Sequence, residues 1–207
     1  MLRSLQHSTT THWSLLFICS PGDLDQQHEC RRLSRVNANV NCHTVTWKSD
    51  RGDFALKTTY GIRMTSSPWI FFGADDLEFT PGWDIAALRV AQETGKRVIG
   101  TNDGANPSVK RGLHATHLLV ARSYIKEYGV VDEENAFYSS SYDHQATDVE
   151  AVEWAKRNNE WAFAKDSVVL HKHPIWGTAP KDATYTKALR SGRADIELFN
   201  QRRKLWR

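Results

Sequence analysis

The chain has 207 residues, 40% of them hydrophobic and 25% charged, with a formal net charge of +3. A balance this mild gives no argument for a nucleic-acid binder, and the length is enough to bury a core without staples. No stretch reaches membrane-spanning length, residues 1–13 lack the apolar centre of a secretion signal, and Cys19, Cys30 and Cys42 match no zinc or redox spacing, so a reducing, cytoplasmic setting is expected.

Residues 13–19 form an apolar run that reads as a buried strand, stopped by Ser20-Pro21-Gly22-Asp23, with Cys19 in the core. A short helix is predicted over 25–33 and a short strand over 44–47. Residues 54–64 predict a helix with Leu56, Tyr60 and Met64 on one face. Residues 68–72 predict a buried strand that runs into Gly73-Ala74-Asp75-Asp76-Leu77-Glu78. Thr80-Pro81-Gly82 opens a helix carrying Ile85, Leu88 and Ala91 on one side, and Gly95 closes it. A further strand follows at 97–100, so the first half alternates strand and helix, the pattern of an α/β layered sheet.

The second half is looser. Residues 101–112 read as loop, 117–121 as strand, 123–128 as a short helix and 138–147 as a polar loop. A helix is predicted over 148–157, with Val149, Val152 and Ala155 along one edge, and a last strand over 168–171. From Asp182 onward the chain reads as one or two helices interrupted near Gly192. Its basic residues Arg190, Arg193, Arg202, Arg203, Lys204 and Arg207 fit a solvated helix face better than an anionic-surface contact. The division expected is a domain over 1–180 and a basic helical extension over 181–207.

Two adjacent carboxylates, Asp75 and Asp76, emerge at the C-terminal end of an apolar strand, where α/β sheets bind ligands. They repel unless a cation or proton sits between them, and a hard ion such as Mg²⁺ or Mn²⁺ suits them better than a role in the turn before the next helix. The strand at 168–171 ends in His171 and His173, which either complete a mixed carboxylate site or form a structural pair. Asp148 begins a helix, where it either caps or serves as a base. Lys57, on the 54–64 helix, either reaches a phosphate or is solvated.

Together these residues resemble a GT-A glycosyltransferase of the family-two type, especially the short versions in bacteriophages, over residues 13–185. The resemblance implies a GT-A-like mixed sheet flanked by helices, here lacking the family's first strand and turn. It gives Asp75 and Asp76 the metal and nucleotide-diphosphate role of an Asp-x-Asp-like motif, and His171 or His173 the place of a late metal-ligating histidine. It makes Asp148 the base for the acceptor hydroxyl, matches Lys57 and Gly61 to a basic residue and glycine before the acidic motif, and leaves Asp23 one contact to the nucleotide base. The loop Gly100-Thr-Asn-Asp-Gly-Ala-Asn106 and the run Gly112-Leu-His-Ala-Thr-His117 would face donor sugar or acceptor. The implied activity is inverting, Mn²⁺- or Mg²⁺-dependent transfer of a hexosyl group from a nucleotide-diphosphate sugar to an acceptor hydroxyl on a modified DNA base, a protein or a glycan. The rival readings are a metal-dependent phosphoesterase or nuclease, and a non-catalytic fold that binds a nucleotide sugar.

Overall fold

The computed structural model describes residues 1–49, 52–181 and 192–206. The expected helical stretch from Asp182, with Arg190, and the terminal Arg207 lie outside the described residues up to Gly192 and after Trp206. The chain runs α1 (Leu2–Ser8), β1 (Leu15–Cys19), α2 (Leu24–Val36), β2 (Val40–Thr44), α3 (Phe54–Met64), β3 (Trp69–Phe72), β4 (Leu77–Phe79), α4 (Trp83–Thr94) and β5 (Val98–Asn102). It continues through α5 (Pro107–Lys110), β6 (Leu118–Ala121), α6 (Arg122–Glu127), α7 (Thr147–Arg157), β7 (Trp161–His171) and α8 (Gly192–Arg202). Among the described residues no helix is long and apolar enough to cross a membrane.

The strands make a mixed α/β architecture. β1 and β2 pair in parallel, Leu15 opposite Val40, and the other five lie in the order β3-β6-β5-β7-β4. Within the five, β5 and β7 are parallel and the other neighbours antiparallel. β6 is buried at every position, because both faces of this central strand are covered. Its residues alternate between layers, as the two-residue period of a strand demands. Leu118 and Val120 join Phe72, Val98, Tyr124, Phe137 and Val152 on one side, and Leu119 joins Ala87, Ala91, Ile99 and Ala164 on the other.

Several predicted elements move. The second strand starts at Val40, earlier than the expected 44–47, because it pairs residue for residue with β1. The last strand extends back to Trp161; Lys165 and Asp166, exposed in its middle, interrupt the apolar pattern that reveals a strand. On α3 the buried residues are Ala55 and Ile62, while Leu56 and Met64 are exposed; on α4, Ala87 and Ala91 face the sheet and Ile85 is exposed. Small side chains let these helices lie close, so the larger apolar residues are left at the rim. Gly95 closes α4 as expected, in the left-handed conformation at φ 69°, its N–H bonded to the Ala91 carbonyl at 2.9 Å. Gly100 admits no side chain, since a Cβ there would lie 2.2 Å from the Trp161 ring and 2.7 Å from the Ala115 methyl.

Candidate functional site

β3 and β4 are joined by a turn that holds Asp75 and Asp76. β4 then pairs antiparallel with the end of β7, placing Leu77 opposite His171. That register brings His171 beside Asp76: Nε2 lies 3.1 Å from Oδ2, and the Lys172 N–H donates to the Asp76 carbonyl at 3.0 Å. Burial opposes ionisation of Asp76, but the hydrogen bond and charge of His171 outweigh it and hold the carboxyl below its ordinary range. Asp75 is exposed, and a shallow cavity of about 180 Å³ opens beside the pair, lined by Met1, Ser4, Asp75, Asp76, Glu78 and Lys172. Glu78 is engaged by Lys172 at 2.6 Å.

The His171 ring packs edge-on against His117, with centroids 4.9 Å apart. His117 is buried, its Nδ1 3.3 Å from the Phe72 carbonyl, and burial together with neighbouring His171 pushes its pKa down to about 4. It is therefore a neutral imidazole at pH 7. Three buried atoms in this neighbourhood have no hydrogen-bond partner among the described residues: Asp76 Oδ1, His117 Nε2 and Asp103 Oδ2. Asp103 belongs here because its carbonyl accepts from the His171 N–H at 3.4 Å, while its Oδ1 folds the loop after β5 by accepting from Ala105 and Asn106. Buried polar atoms are rarely left unpaired, and each such atom calls for an explanation.

His173 lies just beyond the end of β7, where strand alternation no longer applies. Its ring is 4.9 Å from that of His171, and its Nδ1 accepts from the Ile175 N–H at 3.3 Å, capping the short 3-10 turn that follows. His171 is the histidine hydrogen-bonded to Asp76.

Asp148 sits in the first turn of α7, but Ala146 is the N-cap, in the left-handed conformation at φ 64°. The carboxylate accepts the Val149 N–H at 2.9 Å through Oδ1 and meets His114 Nε2 at 3.1 Å through Oδ2. Burial pushes the acid up, and the His114 contact more than offsets this, so Asp148 is held below its ordinary range. His117 feels the charges of both Asp76 and Asp148. The segment between β5 and β6 thus supplies a histidine to each: His114 to Asp148, His117 to the Asp76–His171 pair.

Lys57 projects from α3 to the end of β1, donating to Ser20 Oγ at 2.7 Å and pairing with Asp53 at 3.1 Å. Asp23 caps α2, its Oδ1 accepting the Gln26 N–H at 3.0 Å. The three thiols converge on the same β1–α2–β2 unit, Cys19 and Cys42 Sγ 3.9 Å apart and unbonded, with burial raising the pKa of all three. Thiols so disfavoured as thiolates are poor nucleophiles and ligands.

No family model and no curated protein matches this chain. The site therefore has to be read from its own chemistry. Among the described residues no group of three or more His, Cys, Asp and Glu side chains is arranged to enclose an ion. What the strand ends offer is a two-donor edge, Asp76 Oδ2 and His171 Nε2, 3.1 Å apart. His114 and Asp103 are the parts of this constellation that no local sequence pattern singles out as ligands of anything; they are brought in by loops.

Proposed function

We propose that the chain is an inverting, metal-dependent glycosyltransferase that moves a sugar from a nucleotide-diphosphate donor to an acceptor hydroxyl. The observation that carries this reading is the Asp76–His171 pair, with an unpartnered Asp76 oxygen, and a second carboxylate, Asp148, held by His114 from the same β5–β6 segment that brings His117 against His171. Two donors side by side, Asp76 Oδ2 and His171 Nε2, suit a hard divalent ion, and the shallow cavity lined by Asp75 and Asp76 leaves space for phosphate oxygens. Asp76 and His171 would hold the ion, with exposed Asp75 next to it. When bound, Mn²⁺ or Mg²⁺ neutralises the diphosphate charge that grows as the glycosidic bond breaks.

The remaining steps belong to the protein. Lys57, anchored at the end of β1, offers a further positive charge to the donor. Asp148 takes the acceptor's proton on a carboxylate oxygen as the hydroxyl attacks the anomeric carbon. His114 on Oδ2 favours the ionised form, so the base is ready at neutral pH. Inversion is what the GT-A resemblance implies for a single displacement of this kind.

The experiment is incubation of the chain with Mn²⁺ and a panel of nucleotide-diphosphate sugars, alongside a phosphodiester substrate. Sugar transfer or donor hydrolysis supports the reading. Phosphodiester cleavage, or donor binding without turnover, replaces it with one of its rivals. Mass spectrometry of DNA, protein and glycans from cells making the chain then identifies the acceptor.

A further inference from the structure

The end of the described chain is tied to the site in a way that the chemistry above does not use. α8 buries two charged residues, Asp195 at 3% exposure and Arg202 at 5%, although Arg193 on the same helix is open to solvent. They are seven residues apart, two helical turns, and so share a face. Asp195 accepts three successive backbone N–H groups: Asp143 on Oδ1 at 2.9 Å, and His144 and Gln145 on Oδ2 at 2.9 and 2.7 Å. Immediately after them Ala146 takes its left-handed conformation, and α7 begins.

Arg202 grips the other side. Its Nε and Nη2 donate to the two oxygens of buried Glu150 at 2.8 and 2.9 Å, and its Nη1 and Nη2 donate to those of Asp132 at 2.8 and 2.6 Å. Glu150 also accepts the Tyr142 hydroxyl. Asp148 thus lies between the two anchors, three residues after Gln145 and two before Glu150. The pinned loop reaches further still. Asp143 Oδ1 accepts the Gly52 N–H at 2.8 Å, and Gly52 lies so close to the Asp143 carbonyl that a Cβ would be 1.7 Å from it. Gly52 leads directly into α3, the helix of Lys57.

We infer that α8 is a clamp that sets the position of Asp148, with Asp195 and Arg202 as positioning residues that touch no substrate themselves. This rests on the reading of Asp148 as the proton-accepting carboxylate. A proton acceptor must meet its hydroxyl within hydrogen-bond reach, and a displacement of about 1 Å can cost about 10²-fold in rate. Three amide bonds to one carboxylate, next to a non-glycine residue in the left-handed region, fix the entry into α7.

The test compares Asp195→Ala with wild type in transfer rate, donor affinity and amide exchange. The clamp predicts a kcat lowered by about 10- to 10²-fold, an unchanged donor Kd, and faster exchange at the amides of residues 143–145. In an Asp148→Asn background the same substitution adds no further loss of kcat, because the group it positions is already gone. Arg202→Lys retains more rate than Arg202→Met. Should Asp195→Ala fail to fold, Asp195→Asn, which keeps one acceptor oxygen, carries the same measurements. A kcat loss of equal size with and without Asp148, or a donor Kd that rises in parallel, overturns the clamp. If the wild type transfers no sugar at all, the proposed function fails on its own. Exchange at 143–145 then still decides the clamp: unchanged protection in Asp195→Asn refutes it.

Discussion

Replacing Asp76 by Asn separates the cost of the site from its use. Asp76→Asn weakens the contact of a charged acceptor with His171, worth about 1.5–3 kcal/mol, but also replaces a buried, charged Oδ1 without a partner, whose burial costs about 1–3 kcal/mol, by part of a neutral amide that is cheaper to bury. The two nearly cancel, so the metal-free variant should unfold within about 1 kcal/mol of wild type, or about 2–4 °C for a chain of this size. Mn²⁺ with a nucleoside diphosphate, at a hundred times its Kd, should stabilise the wild type by about 2.7 kcal/mol. That is a rise of about 5–11 °C in Tm, reversed by a chelator. Asp76→Asn should show almost none of it. The assay is thermal unfolding by circular dichroism, with and without Mn²⁺, for uridine, guanosine, cytidine and adenosine diphosphates in parallel. An equal rise in Asp76→Asn and wild type would show that the ion binds elsewhere and refute the assignment. A metal-free variant that unfolds many degrees lower would show that the pair is a structural device.

Asp148→Asn should lower turnover by about 10²- to 10⁴-fold while donor affinity, measured by calorimetry, hardly changes; an unaltered rate would move the base to another residue. Asp84 accepts the N–H groups of Thr10 and Thr11 and the Thr11 hydroxyl on one oxygen, and these bonds hold its pKa below the ordinary value against the opposing effect of burial. Asp84→Asn should therefore cost about 2–3 kcal/mol at pH 7 by urea unfolding. Because the folded-state pKa is depressed, that contribution is present above the unfolded value near 3.9 and is lost as pH falls through the folded one; a gap that stays constant down to pH 2.5 contradicts this. Gly100→Val should destabilise by about 1–3 kcal/mol or more through collision with Trp161, and pairing it with Trp161→Ala should recover part of the loss.

The parts legible in the sequence were those with a local signature. Apolar runs betrayed β1, β3 and β6, Gly95 marked the end of α4, and the acids after β3 and the histidines near the end of β7 stood out by their place at strand ends. The face of α3 misled because its buried residues are Ala55 and Ile62 while Leu56 and Met64 are exposed; on α4 the expected Leu88 and Ala91 do meet the sheet, but Ile85 is exposed and Ala87, which carries little pattern, is buried in its place. β4 is only three residues long, so its alternation of Leu77, Glu78 and Phe79 is too short to mark a strand in the sequence. Least legible were partners set by topology. His114 meets Asp148 across 34 residues and Arg202 meets Glu150 across 52, and nothing local links either pair. Arg202 in particular resembles the solvated arginines around it until Glu150 and Asp132 are brought to it.

β7 pairs with its neighbours in two places, and three residues between them bulge out of the ladder. Its first half runs beside β5 from Trp161 to Ala164, and the ladder then resumes at Val168, opposite Asn102, leaving 165–167 outside the pairing. From Val169 the same strand is read by β4, which sets His171 against Leu77. The three skipped residues act as a length adjuster. Two sheet neighbours fix the strand independently, and the surplus between them absorbs the mismatch. A one-residue deletion confined to 165–167 could be taken up there, leaving His171 aimed at Asp76. The same deletion after Val168 would turn the imidazole to the opposite face of the sheet, since a strand reverses its side chains at every step. Tolerance to insertion and deletion along this one strand should therefore change abruptly at Val168, where the unpaired stretch ends and the ladder resumes.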